Sequence, residues 1–231
     1  MAWEPTLPEG SVPEGSAGTD APLVIAVDGP SAAGKGTLAR RLADHFGLRY
    51  LDSGRLYRAV AARLIRDGGD PADAERAVAA ARALDDADLE AANLRDEAVG
   101  RAASVVAPIP GVRAALLDYQ RSVAATPPGA VIDGRDIGTV VCPDAAHKLF
   151  VTARLEVRVE RRCLELSEGG ATVDRGRVRR EMAERDARDQ ERGIAPLAAA
   201  SDAIALDTSD LDADAAFAAA LAAISGNADT L

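Results

Sequence analysis

Five short apolar runs punctuate the chain, at residues 23–28, 49–52, 130–133, 148–152 and 203–207, and longer stretches with Ala, Leu and Arg at helical spacing lie between them. Runs this short, rich in β-branched and other aliphatic residues, read as buried strands, and the intervening segments read as amphipathic helices. Alternation of this kind predicts an α/β fold built on a five-stranded parallel sheet flanked by helices. Three of the strands end in an acidic residue followed by small or basic ones: Asp28-Gly29, Asp52-Ser53-Gly54 and Asp133-Gly134-Arg135-Asp136. Ligands of open α/β sheets gather beyond the carboxyl ends of the strands, so these segments are expected on one rim.

Two intervals are too long for a single crossover helix. The first, about residues 55–128, has room for several helices; the second, about 155–190, is strongly charged and broken by Gly169-Gly170, a candidate flexible point. Both read as insertions above the rim, and the second as a lid that closes over a ligand. Residues 23–225 then form one domain. Residues 1–22 are rich in Pro, Gly, Ser, Glu and Thr, with no apolar core or basic start, and read as a flexible tail rather than a signal peptide; 226–231 read as a second tail. The alanine-dominated stretch 215–224 is too short to span a bilayer and is expected as a terminal helix on the core. No internal repeat or heptad stripe is present, and a monomer is expected.

The 231 residues carry a formal net charge of −10, which excludes nucleic acid and acidic membranes as partners of most of the surface. Any phosphate site must therefore be a local cluster of basic groups. Cys142 and Cys163 have neither a C-x-x-C partner nor histidines at metal spacing, which fits two ordinary thiols in a reducing cytoplasm. His45 and His147 read as structural.

The first strand runs into Gly29-Pro30-Ser31-Ala32-Ala33-Gly34-Lys35-Gly36-Thr37 and then into a helical segment. A strand, a glycine-rich turn and a helix start form the context of a phosphate-binding loop, in which successive backbone N–H groups face a phosphate and the lysine reaches the β- and γ-phosphates of a nucleoside triphosphate. Lys35 is one of two lysines among 27 basic residues, so a compact ammonium is used where arginine is otherwise preferred. Gly36 stands where the usual pattern has a hydroxyl, which moves to Thr37. No direct metal ligand follows from this, although Thr37 and Asp133 could reach a magnesium ion through water.

Arg185, Arg188, Asp189 and Arg192 recur at helical spacing and would share one face. Such a face is either a solvated surface laced with ion pairs such as Glu184 with Arg188, or a cation cluster for phosphoryl transfer. Arg158, Arg161 and Arg162 form a second cluster at the start of the lid, while Arg58 and Arg135 lie near the second and third strand ends. Asp136 could accept a hydrogen bond from an exocyclic amine such as cytosine N4 and would face uracil O4 unfavourably, or it could simply pair with an arginine.

These segments together resemble the bacterial cytidylate (CMP) kinases. The resemblance rests on I-A-V-D-G-P-S-A-A-G-K-G-T-L, Y-L-D-S-G-R-L-Y-R, A-A-S-V-V-A through G-V-R-A-A-L-L, I-D-G-R-D-I-G-T-V-V, and E-R-D-A-R-D-Q-E-R followed by A-P-L. It implies a P-loop NTPase fold with a monophosphate-binding insertion and a lid, and ATP-dependent conversion of CMP and dCMP to the diphosphates with Mg2+. Carried over by motif, Ser53, Tyr57, Arg58, Arg135 and Arg192 would hold the acceptor phosphate. Ser104, Arg113 and Asp136 would read the cytosine, with Arg188 beside them, and Arg185 and Asp189 would contact the sugar. Lys35, Arg135, Arg158, Arg162 and Arg192 would supply charge at the reacting centre. One departure stands out: longer members carry a small β-rich piece in the insertion, whereas residues 79–93 here are short, alanine-rich and helix-like. The alternatives are a phosphate-loop kinase for another small acceptor such as UMP or AMP, which would not need the Arg113 and Asp136 pair, and a nucleotide-binding module without turnover.

Overall fold

The computed structural model describes residues 21–168 and 172–226. In it the five runs pair as one parallel sheet: β1 (Leu23–Asp28), β2 (Arg49–Asp52), β3 (Gly129–Gly134), β4 (His147–Thr152) and β5 (Ile204–Asp207), in the order β2-β3-β1-β4-β5. Each strand lies within one residue of its expected bounds. The central strands carry the longest aliphatic runs because helices cover them on both faces.

On one face α1 (Lys35–Phe46) and α9 (Ala213–Ile224) pack over Ile25, Val27, Val131, Leu149 and Val151, contributing Leu38, Leu42 and Ala220. The alanine-rich terminal segment is thus a helix on the core, where small side chains allow close approach to the sheet. On the other face α6 (Pro110–Ala125) lays Val123 and Ala124 over Ala26, Ala130 and Ile132. A π-helical turn at Ile137–Val141 follows β3 and adds Ile137 and Val141 to the same core.

The register fixes the rim. Asp28 stands opposite Gly134, and Asp52 opposite Asp133, so the three acidic strand ends lie side by side as expected. Above them the first insertion consists of α2 (Ser53–Arg66), α3 (Ala74–Arg82), α4 (Asp86–Glu90), a 3-10 turn at Ala92–Arg95, α5 (Glu97–Val106) and the start of α6. Residues 79–93 hold the end of α3, α4 and the start of the 3-10 turn and contain no strand, in keeping with their helix-like sequence. The second insertion is a hairpin of α7 (Leu155–Glu168) and α8 (Arg175–Glu191). Gly169-Gly170, residues 1–20 of the expected tail and residues 227–231 lie outside the described residues. Among the described residues no helix is long and apolar enough to cross a membrane.

Candidate active site

The loop between β1 and α1 depends on two glycines. Gly29 has φ 147°, and a Cβ there would come within 1.9 Å of the Val151 carbonyl oxygen; Gly34 takes the left-handed conformation at φ 89° and starts α1. No other residue type adopts both conformations without strain. Lys35, only 5% exposed, donates from Nζ to the Pro30 carbonyl oxygen at 2.7 Å. Burial pulls its ammonium down to about 7, with Arg135 acting in the same direction and Asp133 and Asp28 opposing. Asp133 is pushed up to about 6 by burial and by the neighbouring Asp52. Tyr50 donates its hydroxyl to Asp133 Oδ1 at 2.8 Å. Thr37 is exposed in the first turn of α1.

The three arginines expected at the start of the lid have different places on α7. Arg158 is buried against the loop: Nε donates to Ala153 O at 2.9 Å, one terminal nitrogen lies 3.4 Å from Ser31 O, and the other pairs with Asp186 at 2.7 Å. Arg161 donates to the Thr208 hydroxyl and carbonyl at 3.0 and 2.7 Å, and Thr208 Oγ1 lies 3.0 Å from Ala33 O, so Arg161 braces the back of the loop. Arg162 pairs with Glu165 at 3.0 Å, and its charge reaches Arg185.

On the acceptor side, Asp52 caps α2 by accepting from Arg55 N at 3.0 Å and pairs with Arg58 at 2.5 Å; Ser53 is buried beside it. Arg135 pairs with Asp189 at 2.9 Å, and Arg185 Nε lies 4.0 Å from the same carboxylate. Burial lowers the Arg185 guanidinium to about 10, and Arg135, Arg58 and Arg162 lower it further against the pull of Asp189. Burial works against the Asp189 carboxylate, but Arg135 and Arg185 hold it below its ordinary range. Arg58 Nε and Arg185 Nε are buried donors with no hydrogen-bond partner.

Asp136 forms a buried ion pair with Arg113, and its other oxygen lies 3.3 Å from Arg192. Of the two readings of Asp136, the pairing with arginine is the one the contacts show. Tyr57 accepts from Arg113 at 3.3 Å, and Arg188 donates to the buried Ser104 hydroxyl at 3.2 Å.

The rim thus brings together the phosphate loop, Ser53, Tyr57, Arg58, Ser104, Arg113, Arg135, Asp136, Arg185, Arg188, Asp189 and Arg192. Tyr57 and Arg192, expected with the acceptor phosphate, meet Arg113 and Asp136 in this structure; α8 ends at Glu191 and Arg192 follows as its cap. Glu184, the suggested partner of Arg188, is exposed, and Arg188 engages Ser104 instead. Sequence reasoning missed Tyr50 under Asp133, Asp186 under Arg158, and Gln120, which is 1% exposed and hydrogen-bonded to the Tyr57 phenol. A polar residue at a buried helix position was the available signal for Gln120.

A protein described as cytidylate kinase from Paramagnetospirillum magneticum is 62% identical over 204 residues, 87% of this chain and 97% of that protein. One of the same description from Rhodospirillum rubrum is 58% identical over 203 residues, 86% of this chain and 95% of that protein. The crystal structure of an uncharacterised protein from Eubacterium ventriosum shares the fold at a TM-score of 0.51 and 15% identity, covering 88% of this chain and 98% of that one. The sequence model described as cytidylate kinase matches residues 25–225, from the middle of β1 to the end of α9, and with it the chain is placed in the cytidylate kinase family.

Proposed function

We propose that the chain transfers the γ-phosphoryl group of ATP to CMP and dCMP, giving ADP and CDP or dCDP. The observation that carries the reading is the convergence of like charge. Arg135, just after β3, lowers both Lys35 of the phosphate loop and Arg185 of α8 and is itself held charged by Asp189, and two guanidinium donors there are buried without a partner. Buried cations and donors left in that state are costly, and two sets of phosphate oxygens would offset both.

The loop amides and Lys35 would hold the ATP phosphates at the start of α1. Ser53, Arg58, Arg135 and Arg185 would hold the acceptor phosphate, with Asp189 fixing Arg135 and approaching the sugar. Asp136, paired with Arg113 and Arg192, has lone pairs left to accept from cytosine N4, whereas uracil O4 would oppose it. An oxygen of the CMP phosphate attacks the γ-phosphorus while the bond to the β–γ bridging oxygen breaks and ADP leaves. That nucleophile is already ionised near neutral pH, so alignment and charge stabilisation matter more than a general base. Arg158 and Arg162 would neutralise the transferring group, and lid closure would exclude water as a competing acceptor.

The donor set suits Mg2+ carried in with ATP. Asp133 is a buried carboxylate that faces Lys35 and Tyr50, and no arginine pairs with it directly among the described residues. Asp133 and Thr37 would hold the ion through water. Bound there, it supplies positive charge to the β- and γ-oxygens.

Coupled ADP release with ATP and magnesium, compared for CMP, dCMP, UMP, AMP and no acceptor, tests the reading. The expected result is fast release with CMP and dCMP and poor release with UMP and AMP. Equal release with every acceptor would defeat it.

A further inference from the structure

Asp28 is the last residue of the central strand, 5% exposed, and the mechanism above gives it no role. Its two carboxylate oxygens accept from two consecutive backbone amides, Ile137 N at 2.8 Å and Gly138 N at 2.7 Å. Those amides open the π-helical turn that follows Asp136. The later N–H groups of the turn are satisfied within it, Val140 and Val141 by Asp136 O and Cys142 by Ile137 O. The first N–H groups of any helical turn have no such partner.

An aspartate just before a helical turn ordinarily turns its side chain back to cap those amides. Asp136 occupies that position and makes no cap; its carboxylate instead faces Arg113 and Arg192. Asp28 supplies the missing cap from the neighbouring strand. We propose that Asp28 is a positioning residue for acceptor recognition, which caps the turn in place of Asp136 and so keeps the Asp136 carboxylate in the acceptor cleft. Without it, Asp136, which immediately precedes the Ile137 and Gly138 amides, stands where a capping carboxylate would, and to cap them it would have to leave Arg113. Asp28 also adjoins Gly29, so one carboxylate ties the donor loop to the turn that reads the acceptor.

The inference rests on Asp136 reading the acceptor base, and the test separates the two. Steady-state kinetics of the wild type, Asp28→Ala and Asp28→Asn would be measured with CMP, UMP and ATP varied in turn. In Asp28→Ala, KM for CMP is expected to rise about tenfold or more, the effect of losing charge-assisted hydrogen bonds. The preference for CMP over UMP should narrow in parallel, while KM for ATP changes much less. Asp28→Asn keeps the volume and one acceptor oxygen, so it should fold and recover part of the loss; it also carries the test if the alanine variant does not fold. A wild type without preference for CMP over UMP would overturn the base-reading role of Asp136 and the inference with it. A wild type with that preference, retained unchanged in either folded variant, would overturn the inference alone, as would a rise in KM for ATP equal to that for CMP.

Discussion

The two insertions stand on the same rim and are built in opposite ways. The first, α2 to α6, has an apolar interior in which Leu56, Val60, Leu64, Val99, Val106 and Leu116 are nearly inaccessible and alanines fill the remaining contacts. The lid hairpin, α7 and α8, buries Val159, Val178 and Met182 as its apolar core among the described residues. Its two helices are joined mainly by charge, through Arg175 with Glu160, Arg179 with Glu156 and Arg158 with Asp186. The outer two of these pairs are exposed and contribute little to stability. An element with few buried apolar contacts opens at low free energy, which is what the proposed lid role requires. The first insertion, in contrast, which carries the proposed base-reading residue Arg113, rests on an interior that resists deformation.

The largest expected effect tests whether chemistry divides along the same line. Arg158→Ala removes a buried cation from the lid side of the phosphate loop and is expected to lower kcat about 100- to 1,000-fold, with KM for CMP nearly unchanged. Arg113→Ala in the first insertion takes away the partner of Asp136 and should act chiefly on KM for CMP. If the lid variant changed KM alone and the insertion variant kcat alone, the two regions would have exchanged their assigned work.

Stability should split in the same way. Leu116→Ala leaves a cavity where the first insertion meets α6 and is expected to cost about 2–5 kcal/mol, read as a fall in Tm of the whole domain. Met182→Ala removes a comparable volume from the lid, but the hairpin can open locally, so its amide exchange should accelerate while the main transition moves much less. Equal shifts in Tm for the two variants would mean that the lid unfolds with the core and has no independence.

How much of this was legible in the chain follows from the range of the interactions. Strand positions and the rim could be read because aliphatic runs and the glycines and acids after them are local patterns. The phosphate loop could be read because its chemistry needs particular side chains, and Arg113 was set beside Asp136 by the family resemblance. Strand order could not, since pairing joins segments as distant as Leu23 and Gly129 through backbone groups that every residue has. The capping by Asp28 was hidden for the same reason: its partners are backbone amides 109 and 110 positions away. The contacts of Tyr57 and Arg192 with Arg113 and Asp136 were not legible, because a motif identifies a residue without its rotamer.

The smallest expected effect lies where the two insertions touch. Arg177 on α8 pairs with Glu97 on α5 at 2.6 Å, and Arg101 on α5 lies 3.0 Å from Glu97 and 3.7 Å from Glu181 on α8. Burial, a hydrogen bond to Glu97 and the charge of Glu97 raise the Glu181 carboxyl above its ordinary value, while Arg177 and Arg101 oppose. Burial works against ionisation of Glu97 as well, but the hydrogen bond from Glu181 and the two arginines hold it below its ordinary value. Glu181 therefore keeps its proton longer in the joined state than in the open one. The stabilisation tied to that proton is complete at low pH and is lost as pH rises from the ordinary carboxyl value through the raised one. Amide exchange in the first turns of α8 should accelerate over that interval, and Glu181→Gln, which keeps a donor at every pH, should flatten the profile. Arg177→Ala should raise the same exchange rates only about two- to fivefold, the range of a partly exposed pair, and less at high salt. A change beyond that range would show that the lid is tied to the insertion as firmly as the insertion is tied to itself, and the contrast between them would fail.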